Sequence, residues 1–135
     1  MALTIKLIGT DQFLQALGDK EQQINTKMKK VAIEIFRRII LKTPVDTGQA
    51  RNNWFTTINT PSTDMTEEID KSGQKAIKDM VAKVLETKFT DKQIVYISNN
   101  LPYIDVLENG SSDQAPSGMV KTTVAEFGSI VREVD

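Results

Sequence analysis

The chain contains neither cysteine nor histidine, and these two absences exclude more chemistry than any residue present supplies. Without thiols there is no disulfide and no thiolate nucleophile. Without Cys and His together there is no Cys/His zinc site, and without His no Ser-His-Asp triad. Any catalysis would fall to carboxylates, Lys, Tyr or Ser/Thr, and no cofactor or metal site is expected. No stretch reaches the roughly 18 consecutive apolar residues of a membrane span. The opening Met1-Ala2-Leu3-Thr4-Ile5-Lys6 lacks the charged segment and long apolar run of a secretory leader. A cytosol-like setting without membrane contact is therefore expected. An excess of charge is lacking too: 17 Lys plus Arg stand against 18 Asp plus Glu, a formal net charge of -1, so no bulk attraction to nucleic acid follows. What is present, 39% hydrophobic and 26% charged residues in 135, fits one domain over 1–135 that folds in water.

Leu3, Ile5 and Leu7 alternate with Thr4 and Lys6, which predicts a half-buried strand ending at Gly9. Thr10 or Asp11 can cap a short helix carrying Phe13, Leu14 and Leu17 and stopping at Gly18. From Glu21 to Lys42, apolar residues recur at three- and four-residue steps, predicting a long amphipathic helix. Pro44 ends it and forces Thr43 out of helical conformation. In the turn that follows, Asp46 is expected to accept backbone amides and Gly48 to take a left-handed conformation. Asn53 to Asn59 reads as a strand with Trp54 as a core anchor, and Thr60 to Ser72 as an exposed loop. A second amphipathic helix runs from near Ser72 to about Lys88. Ile94-Val95-Tyr96-Ile97, apolar on both faces, reads as a central strand. Asn99 to Tyr103 should open a short helix, with Pro102 in its first turn and Asn109-Gly110 closing it. After a loop from Ser111 to Gly118, Val120, Val124, Phe127, Val131 and Val134 mark a C-terminal helix. The sum is an α+β fold: a small, mainly antiparallel sheet of about 3–4 strands packed against long amphipathic helices.

Few residue patterns carry chemistry. Ser72-Gly73-Gln74-Lys75 matches a bare Ser-x-x-Lys, but the accompanying Ser-Asp-Asn and Lys-Thr-Gly motifs are absent. Asp105 and Glu108 lie three apart on a predicted helix, where two carboxylates could share a face as an acid/base pair or a hard-metal site; the plainer reading is an exposed helix edge. Glu67, Glu68 and Asp70 lack the spacing of a calcium loop, and no glycine-rich phosphate loop occurs. Charge is distributed unevenly: residues 1–60 carry a surplus of four positive charges and residues 61–135 a surplus of five negative ones. If these halves occupy different surfaces, copies can meet head to tail, and such contacts close into rings.

Two segments together resemble a known family. Thr43-Pro44-Val45-Asp46-Thr47-Gly48-Gln49-Ala50-Arg51, followed by Trp54, is similar to a signature of small neck and tail-completion proteins of long-tailed bacteriophages. So, in order and spacing, is the block Asn99-Asn100-Leu101-Pro102-Tyr103, Leu107-Glu108-Asn109-Gly110-Ser111-Ser112 and Gln114-Ala115-Pro116-Ser117-Gly118-Met119-Val120. Asp70 with Ser72-Gly73 fits as well, so the resemblance covers about residues 20 to 130.

The resemblance implies a non-enzymatic virion protein of the head-tail joining region, assembled in the host cytoplasm. Its copies would form a ring, commonly sixfold, that joins the head-proximal end of the tail tube to the head connector around the DNA channel. Tail terminator or head-closure stopper are the alternative joining roles, and a small carboxylate enzyme is a third. For such a role the interface candidates are the loop residues Thr60, Asp64, Glu67, Glu68 and Asp70, together with Ser111, Ser112, Gln114 and Ser117, where backbone is available to a neighbour. The basic helix face of Lys27, Lys30, Arg38 and Lys42 would meet the acidic half of a neighbour, or touch DNA weakly and without sequence preference. Pro44, Asp46, Gly48, Pro102 and Gly110 are expected to be turn architecture.

Overall fold

The computed structural model describes residues 2–18 and 20–134. Its elements in order are β1 (Leu3–Leu7), α1 (Asp11–Leu17), α2 (Glu21–Lys42), α3 (Gln49–Asn52), β2 (Trp54–Ile58), α4 (Gln74–Glu86), a 3-10 turn (Phe89–Asp91), β3 (Val95–Asn99), α5 (Ile104–Glu108), α6 (Val120–Ala125) and α7 (Phe127–Glu133). This is the expected α+β fold. The three strands form one antiparallel sheet in the order β1-β3-β2, so the strand that is apolar on both faces is the central one. The register aligns Leu3, Asn99 and Trp54, then Ile5, Ile97 and Thr56, then Leu7, Val95 and Ile58. These residues line the face that meets the helices.

α2 is the spine. Met28, Val31, Ala32, Ile35, Phe36, Ile39 and Ile40 are buried along it, each large side chain contributing about 1.5–3 kcal/mol by leaving water. It packs against α1, α4, α6 and α7. It stops where Thr43 turns extended (φ −66°, ψ 125°) ahead of Pro44. Thr43 Oγ1 donates to Ile39 O at 2.8 Å and accepts from Trp54 Nε1 at 2.8 Å, so the single Trp, 2% exposed, anchors β2 to the end of α2. Among the described residues no helix is long and apolar enough to cross a membrane.

Four local expectations need correction. A short helix, α3, precedes β2, so Asn53 ends a helix and β2 begins at Trp54; one helical turn is too short to show a period. β3 runs on to Asn99, and Pro102 lies in the turn before α5 instead of inside it. The C-terminal helix is two pieces: Glu126 N bonds Thr123 O at 3.0 Å, a tight turn that shifts the phase. As a result Thr123 and Ile130 are buried while Val124 is 59% exposed. Finally, the stretch 60–72 is a loop, but a tethered one. Asn53 pairs with Thr66 both ways (2.9 Å each), Asn52 Nδ2 donates to Glu68 O at 3.2 Å, and Asn100 Nδ2 donates to Ser62 O and Asp64 O at 2.9 and 3.0 Å. These carbonyls are already satisfied within the chain.

Candidate functional site

The two segments that carry the family resemblance lie far apart in sequence and meet in space. The Gln114 side-chain amide pairs with Val45 like a strand residue, accepting from its N–H at 2.8 Å and donating to its carbonyl at 2.9 Å. Tyr103 Oη donates to Gln49 Oε1 at 3.1 Å, and buried Asn99 Nδ2 donates to Ala50 O at 2.9 Å. Between them lies an open cleft of about 450 Å³, walled by the Pro44–Ala50 turn and by Tyr103, Leu107, Ser111 and Ser112. Burial and the charge of Asp46 push the Tyr103 hydroxyl above its ordinary value. It therefore stays protonated and able to donate at neutral pH.

Within the turn, Gly48 is left-handed as expected (φ 94°). A Cβ there would also sit 2.6 Å from Lys71 N, because the return of the loop crosses at this point and Asp70 N bonds Gly48 O at 3.3 Å. The side-chain acceptor in the turn is Thr47, whose Oγ1 takes Gln49 N at 3.2 Å, not Asp46. Gly110 closes α5 at φ 90°, against the carbonyl of Pro116. Pro44 is buried in its place behind α2.

Two charged residues hold this architecture together in ways the sequence did not disclose. Arg51 donates to Thr43 O (2.9 Å), Leu41 O (2.6 Å) and Lys71 O (2.9 Å), which ties the unpaired carbonyls ending α2 to the end of the loop. Burial lowers its pKa and the nearby Asp70 partly opposes that. Glu108, 6% exposed, accepts three backbone amides: Met119 and Val120 at 2.8 and 2.9 Å on Oε1, and Lys121 at 3.0 Å on Oε2. It caps α6 from another helix, with both oxygens engaged by backbone amides, and is not part of an exposed helix edge. The signal for it was positional: a glutamate ending one helix, ten residues before a glycine that opens the next.

Other candidates are likewise occupied inside the chain. Asp70 is a helix cap, accepting Ser72 N at 3.0 Å, Ser72 Oγ at 2.6 Å and Lys75 N at 2.9 Å at the start of α4. The Ser72 hydroxyl is the main cause holding its carboxyl below the usual range. Lys75 turns to Asp79 at 3.3 Å, so the Ser-x-x-Lys pair is not assembled. Gln114 and Ser112 lock their own loop, Ser112 Oγ accepting Gln114 N at 3.2 Å. Among the described residues no group of three or more acidic side chains is arranged to hold a metal ion. Thr60, Asp64, Glu67, Glu68, Ser111 and Ser117 remain exposed, alongside Met65 and Ile69 at 58% and 60%.

The basic face is divided. Arg38 bonds Glu34 (2.8 Å), Glu126 (3.0 Å) and Glu133 (3.4 Å), and Lys42 bonds Glu126 and, at 3.2 Å, Thr122. The acidic partner expected of a neighbour is thus supplied by this chain's own C-terminal helices, and part of the opposition between the two halves is internal. Lys27 and Lys30 lie toward the other end of α2, around a surface hollow shared with Lys20.

Lys42 first, then Arg38, hold the Glu126 carboxyl below the usual range. The stability from a depressed carboxyl is present above its unfolded value of about 4.3 and is lost as pH falls through the folded value. Glu126→Gln should therefore destabilise the protein at about pH 7 and make little difference at about pH 2. Urea denaturation at both values checks this; equal losses at both would refute a contribution from the ion pairs of the Glu126 carboxylate with Lys42 and Arg38.

Compared with known proteins, the chain matches no family model, no curated protein and no solved structure.

Proposed function

We propose that this chain is a structural protein of the neck of a long-tailed bacteriophage. Copies form a ring, commonly of six, that joins the head-proximal end of the tail tube to the head connector around the DNA channel. One observation carries the reading: the two separated segments that resemble the tail-completion family form a single interlocked surface through Gln114–Val45, Tyr103–Gln49 and Asn99–Ala50. The chemistry of that surface agrees with a joining task. Three of its polar side chains, Arg51, Glu108 and Gln114, are engaged with backbone and serve its architecture. For neighbouring rings the tethered loop offers Asp64, Glu67 and Glu68 beside exposed Met65 and Ile69, a mixture typical of an assembly surface.

The test is electron microscopy of particles made without this protein. Separate filled heads and complete tails are expected, and joined infectious particles would overturn the reading. Finding the protein on isolated filled heads alone, and not on tails, would point to a head-closure stopper instead.

A further inference from the structure

The sheet is open at both edges. Asn59 N bonds Ile94 O at 2.7 Å, which identifies 59, 57 and 55 as the β2 positions that bond β3. Trp54, Thr56 and Ile58 therefore direct their N–H and C=O groups outward. By the same alternation, 95, 97 and 99 of β3 bond β1, so Thr4 and Lys6 face outward at the opposite edge. Among the described residues no backbone hydrogen bond reaches these outward groups. The β2 edge lies in a groove of about 400 Å³ between α4 and the tethered loop. Thr56, 9% exposed, lines this groove, and its Oγ1 is buried with no hydrogen-bond partner. An open edge with unpaired backbone groups and a groove along it make a receptor for an extended segment.

We infer that the occupant is β1 of a second copy, so that the sheets of neighbouring subunits run on into one another. This rests on the ring reading above and names its contact. β1 and β2 are both antiparallel to β3 and hence parallel to each other. Rotation about an axis along the strands brings β1 of one copy beside β2 of the next in parallel, a head-to-tail contact that repeats until it closes. A two-fold pair would join β2 to β2 and leave every β1 edge open. The groove is lined by Lys75 and Lys83 as well as Asp79 and Glu68; the lysines turn to Asp79 and Glu86, and the exposed Glu68 carboxylate is left on the rim to meet Lys6, the one charge in β1.

The native chain has no cysteine, so introduced thiols report without background. Chains bearing Thr4→Cys are mixed with chains bearing Phe55→Cys or Thr57→Cys and oxidised mildly, while sedimentation measures assembly. Disulfide-linked dimers should form in the mixtures, with each variant alone giving few. Thr4→Pro removes one outward N–H and no ladder bond within the chain. It should weaken self-association about tenfold or more with an unchanged circular dichroism spectrum. Dimers from a β2 variant alone, matching the mixtures in yield, would overturn the proposal in favour of a two-fold contact. Oligomers without cross-links, or with Thr4→Pro assembling normally, would overturn edge pairing and leave the ring intact. A chain monomeric at every concentration would also overturn it, and the joining role would still be decided by the particle experiment.

Discussion

Replacing Glu108 with alanine should lower the stability of the fold by about 3–5 kcal/mol. The side chain is buried and gives its two oxygens to the amides of Met119, Val120 and Lys121, three donors at the start of α6 that have no partner within their own helix. Hydrogen bonds to a charged acceptor are worth about 1.5–3 kcal/mol each, and the cost of burying the carboxylate offsets part of that sum. Truncation leaves the donors in a protein interior without acceptor or water. Glu108→Gln should lose about half as much: its oxygen keeps Met119 and Val120, while its NH2 group faces the Lys121 N–H. Urea unfolding followed through the single, buried Trp54 measures both variants. A loss below about 1 kcal/mol for alanine would mean that the cap contributes little.

Arg51→Ala should cost about 2–4 kcal/mol, and Arg51→Lys should recover only a minor part of it. One planar guanidinium reaches three carbonyls that belong to the end of α2 and to the end of the loop before α4. An ammonium is a point donor and cannot span that fork. Because the bond to Lys71 O fixes the loop where it crosses Gly48, both variants should also be cut faster by protease between residues 60 and 72. Full rescue by lysine, in stability and in protease resistance, would show that charge alone suffices.

The parts of the fold that the sequence foretold are those in which burial imposes a period. α2 follows from apolar steps of three and four ended by Pro44, β1 from alternation, and the central place of β3 from residues that are apolar on both faces. What stayed hidden depends on polar side chains meeting backbone or charge far along the chain, for which no period exists. Arg38 finds Glu126 and Glu133, 88 and 95 residues away, and Asn100 finds Ser62 and Asp64. Glu108 is fully engaged although its type and helical setting predict exposure. α3, a single turn, offers too few residues to be recognised. The candidate surface was legible as two motifs. Their contact was not, since Gln114 and Val45 meet through an amide that could have faced water equally well.

The length of α2 has a mechanical consequence. Its 22 residues make a rod of about 33 Å at 1.5 Å per residue, clamped by Arg51 at its C-terminal end and flanked along its sides by α1, α4, α6 and α7. A push at one end is carried by an axial column of hydrogen bonds, with no hinge between Glu21 and Lys42 to absorb it. Load on one side of such a fold is delivered to the other with little compression, the behaviour of a strut and not of a spring.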